Sequence, residues 1–171
     1  MDNLFFRLFP QVPLLVWMPA LIAGIICSIT ITVLLKKNKK KWIVLTWIIA
    51  YLYIILYGTI LNRECGDTYK INLIPFWSYD NIHNGFIETF YEKLYNIIVF
   101  IPYGFLLGLY FRNNRFKWVL SIGLLTSVCI ELIQLVTKTG MCETDDVICN
   151  TLGCIIGVIV ESVFYCTFVN I

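Results

Sequence analysis

Polar side chains in this sequence cluster at one end, or just past it, of long apolar segments. Glu131 stands out because it falls inside the apolar run Ser-Val-Cys-Ile-Glu-Leu-Ile-Gln. An ionisable group within hydrocarbon is energetically unfavourable and is normally kept for pairing or for handling a ligand. Glu131 therefore predicts a site. The predicted ligand-binding residues are Arg63, Asn72, Asn96, Glu131, Gln134, Asp145, Asp146 and Asn150.

Helical spacing groups several of these residues. Glu131 and Gln134 are three residues apart and share a helix face, and at ~1.5 Å rise per residue Glu131 lies roughly 10 Å below Lys138. A second stripe has spacings of four, three and four and consists of Asp146, Asn150, Gly153 and Gly157. We expect one outward-facing pocket to receive Arg63, Asn96, Glu131, Gln134, Asp146 and Asn150.

Other roles stay open for the same residues. Thr144 is a suitable N-cap, and Asp145 and Asp146 suit the positive end of a helix dipole. Arg63 is the nearest basic residue that could neutralise Glu131 or Asp146, but its guanidinium could equally meet an anionic ligand. Polar side chains also join membrane helices to one another without any further function.

The composition is that of a membrane protein. Of 171 residues 59% are apolar and 14% charged, with a mean hydropathy of +0.79, whereas soluble domains are about 45–50% apolar. We predict a single all-α domain over residues 1–171, an integral membrane helix bundle. Crossing the hydrocarbon takes ~20 helical residues, and five segments qualify, near 12–35, 42–61, 94–111, 118–137 and 147–169.

Basic residues predict the orientation. Five lysines at 36–41 and three basic residues at 112–117 account for eight of the 13 lysines and arginines. Such loops stay on the cytoplasmic side. The sequence thus predicts a plasma-membrane protein with its N-terminus and polar cluster outside and its C-terminus in the cytoplasm. A net charge of +2 gives no support to nucleic-acid binding.

The outer loop contains Asn-Leu-Ile-Pro-Phe-Trp at 72–77, which is too short to cross the membrane. Pro75 disfavours a helical Ile74. We expect an extended or re-entrant turn beside the polar cluster, or an interfacial loop with its aromatic rings at the headgroups. Cys65 and Cys142 also fall in outer loops, where a disulfide between them stays open.

Small residues predict where helices touch. Gly104 and Gly108 are four apart in the third crossing, as are Gly153 and Gly157 in the fifth, a spacing that allows close helix contact. Pro102 removes a backbone donor and predicts a kink near residue 98.

Four motifs resemble the VanZ family over roughly residues 63–160. After Arg63 they are Asn-Leu-Ile-Pro-Phe at 72–76, Asn96 with Phe-Ile-Pro-Tyr-Gly-Phe-Leu at 100–106, Glu-Leu-Ile-Gln at 131–134 and Thr-Asp-Asp-Val-Ile-Cys-Asn-Thr-Leu-Gly at 144–153. The resemblance implies a bacterial plasma-membrane protein associated, in some members, with lower susceptibility to lipoglycopeptides such as teicoplanin. It implies no settled biochemical activity.

Three functional hypotheses remain. The first is a non-enzymatic factor that binds a lipid, a lipid-linked cell-wall precursor or a lipoglycopeptide at the outer leaflet, without a cofactor or metal. The second is a membrane enzyme acting on a lipid or peptidoglycan precursor, with Glu131 and Asp146 as acid and base, or with Asp145 or Asp146 as metal ligand. The third is a small proton-coupled transporter using Glu131, although no internal repeat supports it.

Overall fold

The computed structural model describes residues 14–168, and their side chains from Met18 to Thr167. In this range the chain forms six α-helices and two three-residue strands. The helices are α1 (Leu14–Leu34), α2 (Lys39–Leu56), α3 (Trp77–His83), α4 (Ile87–Tyr110), α5 (Arg115–Thr137) and α6 (Thr144–Phe168). A π-helical turn, Tyr57–Leu61, prolongs α2, and the strands are β1 (Lys70–Asn72) and β2 (Met141–Glu143).

Four segments are long and apolar enough to cross a membrane, namely Lys39–Leu61, Ile87–Tyr110, Arg115–Thr137 and Thr144–Thr167. Helix α1 contributes a shorter apolar stretch, Met18–Leu34. The all-α membrane bundle predicted from the sequence is confirmed, and the chain is a multi-pass membrane protein. The predicted sides of the two termini concern residues outside the described range.

Four helices begin earlier than the sequence suggested. Helices α2 and α5 start at Lys39 and Arg115, each three residues before the predicted 42 and 118. Helix α4 starts at Ile87 instead of residue 94, and α6 starts at Thr144 instead of residue 147. All four extensions carry charged residues that a hydropathy criterion excludes from a membrane segment. Those of α4 and α6 meet each other at the same end of the bundle.

Helices α4 and α6 make the closest helix contact of the described bundle. A Cβ atom at Gly104 would lie 2.2 Å from the carbonyl oxygen of Cys154, and one at Gly157 would lie 2.1 Å from that of Ile101. The two backbones therefore touch across a seam without side chains, as the glycine spacing predicted. Helix α4 runs without interruption through Pro102.

The core lies along this seam and against α2 and α5. Its buried apolar residues are Ile48, Ile55, Phe100, Tyr103, Leu107, Val119, Ile130, Cys154 and Val158. The fully buried Glu161 of α6 accepts a hydrogen bond from Arg115 of α5 at 2.7 Å. This ion pair joins α5 to α6 at the end of the bundle that carries the basic loops.

The connections between helices separate into two ends. At one end Lys41 lies 4.9 Å from the ring centre of Tyr110, which brings the two basic loops together. At the other end β1 pairs in parallel with β2, with Ile71 opposite Cys142. The Gly66 amide also donates to the Lys138 carbonyl there, at 2.8 Å. The polar cluster is thus at the end opposite the basic loops.

Gly104→Ala is expected to separate α4 from α6, because its Cβ would meet backbone that cannot rotate away. Overpacking of this kind costs at least ~1–3 kcal/mol, so the thermal midpoint in detergent micelles should fall by several degrees. Gly24→Ala is the control, since its Cβ would meet only the Trp47 ring, at 3.2 Å. Equal midpoints for the two variants would contradict the seam.

Candidate functional site

An open cleft of about 830 Å³ lies at the end of the bundle opposite the basic loops. Its walls come from the end of α2, the segment leading to β1, the first turns of α4 and the loop before β2. The lining residues are Gly58, Asn62, Arg63, Glu64, Gly66, Thr68, Lys70, Glu88, Tyr91, Glu92, Tyr95, Asn96, Lys138, Thr139, Gly140, Met141, Glu143 and Asp146.

A buried lysine holds the base of this cleft together. Lys93, on α4, is 8% exposed and donates to Glu143 Oε2 at 2.5 Å and to Asp146. Glu143 ends β2 and Asp146 lies in the first turn of α6. One ammonium group therefore ties α4 to both elements, with bonds that are stronger than neutral ones because both partners are charged.

Glu143 is the centre of a wider network. Its carboxylate also accepts from Trp77 Nε1 at 3.2 Å, and its backbone amide donates to Glu131 Oε2 at 2.9 Å. Burial raises the pKa of the Glu143 carboxyl, the hydrogen bond from Lys93 opposes that rise, and the nearby Asp146 adds to it. The lysine thus offsets the cost of keeping two carboxylates close together.

Asp145 fixes the loop that contains Pro75. Its carboxylate accepts from the Phe76 amide at 2.6 Å, the Ser78 amide at 2.9 Å and the Ser78 hydroxyl at 2.5 Å. Phe76 has a φ of 64°, which is rare for a residue with a side chain. The hydrogen bonds hold this strained turn and fix the start of α3.

Gln134, on α5, holds the π-helical turn that prolongs α2. Its side-chain amide donates to the Thr59 carbonyl at 3.0 Å, inside the π-helical turn. A π-helical turn is rare and often marks a functional site. Arg63 follows this turn, and its guanidinium lies over Gly140. A Cβ atom added to Gly140 would lie 2.9 Å from that guanidinium. Gly140 therefore leaves the space through which Arg63 reaches the cleft.

The predicted site residues fall into three groups. Arg63, Asn96 and Asp146 line the cleft. Glu131 and Gln134 are buried directly beneath it, each 3% exposed, and bond the backbone that forms the cleft. The other three lie elsewhere and are Asn72, Asp145 and Asn150.

These three residues have local partners. The Asn72 side chain accepts from the Ile74 amide at 3.2 Å, and Asp145 holds the neighbouring turn. Asn150 is buried deeper between α5 and α6, where it donates to the Ser127 hydroxyl at 2.8 Å. Asn150 is not among the residues that line the cleft, because its side chain faces α5, and its role in ligand binding stays a prediction.

The sequence left two roles open for Arg63, an ion pair with Glu131 or Asp146 and contact with an anionic ligand. Arg63 does not form the ion pair. No carboxylate oxygen of residues 14–168 lies within 4.0 Å of its guanidinium. Lys93 neutralises Asp146 instead. Lys93 and Glu143 are not among the residues predicted from the sequence. Lys93 precedes Asn96 by three residues and so shares its face on a helix that starts early enough.

Glu131 and Asp146, the acid and base of the enzyme hypothesis, lie at different depths, because only Asp146 lines the cleft. Glu131 is covered by β2 and does not line the cleft. Across residues 14–168 no three Asp, Glu, His or Cys side chains are arranged to hold a metal ion. His83, the single histidine, is exposed. All seven cysteines fall in the described range and are unpaired, Cys65 and Cys142 included.

The outer loop resolves into β1, the turn at Pro75 and the short helix α3. Leu73, Ile74, Phe76 and Tyr79 are each at least 66% exposed. Exposed apolar side chains beside a membrane bundle favour the interfacial alternative over a re-entrant one. This loop contacts the polar cluster through Trp77, which bonds Glu143, and through the turn at Phe76, which bonds Asp145. Of the three residues of β1, only Lys70 lines the cleft.

Asp145→Asn should release the turn at Phe76, because a neutral side-chain amide cannot accept the three charge-assisted hydrogen bonds that the carboxylate accepts. Hydrogen exchange at the Phe76 and Ser78 amides is expected to accelerate by about tenfold or more, the equivalent of one such bond. Asp80→Asn, on the exposed face of α3, is the control and should leave exchange unchanged. Unchanged protection in both variants would show that Asp145 does not hold the turn.

Lys93→Met should destabilise the protein by about 3–5 kcal/mol, because it leaves Glu143 and Asp146 buried together without a cation. Chemical unfolding in micelles measures the loss. Adding Glu143→Gln and Asp146→Asn removes the stranded charges and should recover part of the stability. Lys70→Met, at an exposed cation, should stay within ~0.5 kcal/mol of wild type. A Lys93→Met variant as stable as wild type would contradict the bridge.

Comparison with known proteins agrees with the motifs. The VanZ/LLP1 family model matches residues 42–165, more of the chain than the motifs alone suggested. Protein VanZ of Enterococcus faecium is 28% identical over 124 residues, which cover 71% of this chain and 72% of that protein. No solved structure matches. The match extends over well more than half of the sequence, and the chain belongs to the VanZ/LLP1 family.

Proposed function

We propose that this protein binds an amphiphile at the outer face of the bacterial plasma membrane and so contributes to glycopeptide resistance, teicoplanin resistance in particular. The amphiphile is a phospholipid, a lipid-linked cell-wall precursor or an acylated glycopeptide. The observation that carries the proposal is the cleft itself, with Arg63 at its wall and no described carboxylate within 4.0 Å of the Arg63 guanidinium.

The distribution of charge supports an outward-facing cleft. The loops at 36–41 and 112–117 carry no acidic residue and lie at the opposite end of the bundle. Loops of this kind are retained in the cytoplasm. The cleft then opens outside, the side from which glycopeptides and exported wall precursors arrive, with the C-terminus inside and the N-terminus outside.

The cleft has the parts that an amphiphile needs. Arg63 can hold a phosphate or carboxylate through two parallel hydrogen bonds, and the Asn96 amide lies in the same lining. The apolar side chains at 73, 74 and 76 are exposed at the same end of the bundle. They offer an acyl chain a surface continuous with the lipid, so one ligand meets charge and hydrocarbon at once.

The buried network supports binding more than catalysis. Lys93, Glu131 and Gln134 hold the backbone around the cleft, and their polar atoms bond other parts of the chain. Groups fixed in this way preorganise a binding surface. The link to resistance comes from the VanZ family resemblance, and for this chain it is part of the proposal.

Arg63→Ala should raise the dissociation constant for fluorescently labelled teicoplanin in nanodiscs by about tenfold, the loss of one charge-assisted interaction. In a susceptible Gram-positive host the variant should also lose the increase in minimum inhibitory concentration conferred by the wild type. Lys117→Ala is the matched control, because it removes an exposed cation from the opposite end.

Membrane levels and thermal midpoints of both variants show whether each is folded and inserted. The proposal predicts a folded Arg63→Ala protein that binds labelled teicoplanin about tenfold more weakly and no longer protects the host. A folded Arg63→Ala protein with wild-type binding and full resistance would contradict it.

A further inference from the structure

We infer that the cleft selects an amphiphile whose headgroup carries both an anionic group and an amine. This inference rests on the proposed function and narrows its ligand class. It is drawn from the charges in the cleft lining, where cations and carboxylates from different elements share one volume without pairing with each other.

The cations come from the segment before β1, from β1 itself and from the end of α5. They are Arg63, Lys70 and Lys138. Lys138 donates to the Asp67 carbonyl at 3.2 Å and lies 4.7 Å from the ring centre of Tyr69, so it is held in place by groups without charge. In residues 14–168 no carboxylate forms an ion pair with any of the three.

Five carboxylates line the cleft, and two of them lie in the first turns of α4; the five are Glu64, Glu88, Glu92, Glu143 and Asp146. Glu88 and Glu92 are four residues apart, both exposed, and share a helix face with Tyr91, Tyr95 and Asn96 in the lining. Like charges at this spacing repel each other. Neither glutamate forms an ion pair with a lysine or arginine of the described chain. An ammonium group between them would relieve the repulsion.

The ion cluster of Lys93, Glu143 and Asp146 adds negative electrostatic potential to the cleft. Lys93 supplies one positive charge against the two negative charges of Glu143 and Asp146, which leaves one net negative charge. Both carboxylates line the cleft. A ligand amine is therefore attracted toward α4, while a phosphate or carboxylate is attracted toward Arg63.

Ligands with one kind of charge fit poorly. A purely anionic headgroup that reached Arg63 would face Glu88 and Glu92, and a purely cationic one would face Arg63 and Lys138. A dipolar headgroup satisfies both sets. Its source is a zwitterionic lipid with a primary amine or a soluble molecule with the same headgroup, and the test distinguishes the two.

The test compares lipids with identical acyl chains on the purified full-length chain. Native mass spectrometry counts retained phosphatidylethanolamine, which has a phosphate and a primary amine, and phosphatidylglycerol, which has the phosphate alone. The wild type should retain the first about tenfold better than the second, the effect of one charge-assisted hydrogen bond. Soluble glycerophosphoethanolamine as competitor shows whether the headgroup alone suffices or the acyl chains are needed.

Glu88→Gln combined with Glu92→Gln should reduce the ratio of the two lipids to about one by removing the charge that holds the amine. Asp67→Asn combined with Asp80→Asn is the control, since it removes two exposed charges from the same end but none from the cleft lining. The control should keep the wild-type ratio.

The outcomes separate this inference from the proposed function. Equal retention of both lipids by the wild type, or an unchanged ratio in the glutamine variant, overturns the dipolar selectivity. If Arg63→Ala then loses both lipids, the amphiphile site still stands. If Arg63→Ala retains both lipids at wild-type levels, the amphiphile site fails and the selectivity fails with it.

Discussion

A single buried ammonium group fixes the geometry of the cleft. Lys93 reaches from α4 to Glu143 at the end of β2 and to Asp146 at the start of α6. Without that cation the two carboxylates would repel each other at the base of the cleft, and removing one partner of a largely buried ion cluster is strongly destabilising. The position of β2, the turn held by Asp145 and the backbone amide bonded by Glu131 all follow from this junction.

The glycine seam explains why the junction forms at all. Backbone contact at Gly104 and Gly157 brings α4 and α6 together along their length, so their first turns reach each other with polar side chains. Small residues along the seam and charged residues in the first turns thus make one helix pair that is tightly packed along its length and open at the end that carries the cleft. An ion pair between Arg115 and Glu161 closes the bundle at the other end.

The sequence predicted the bundle because long apolar runs show in the sequence itself, whereas partners distant along the chain do not. The start of α4 was placed too late because Lys93 looks unsuited to a membrane helix until its two carboxylate partners are known. Strands β1 and β2 have three residues each and exist only through their mutual pairing. Asn150 carried the expected polarity, but only the structure shows that its side chain turns toward Ser127. Glu131 and Gln134 lie beneath the cleft and bond backbone groups around it, and their role in ligand binding stays a prediction.

The most direct test is electron microscopy of the protein in lipid nanodiscs. The account predicts density for a headgroup in the cleft, in contact with Arg63 on one side and the first turns of α4 on the other, with Lys93 bonded to Glu143 and Asp146. A closed cleft in which Arg63 binds one of the chain's own carboxylates would contradict it.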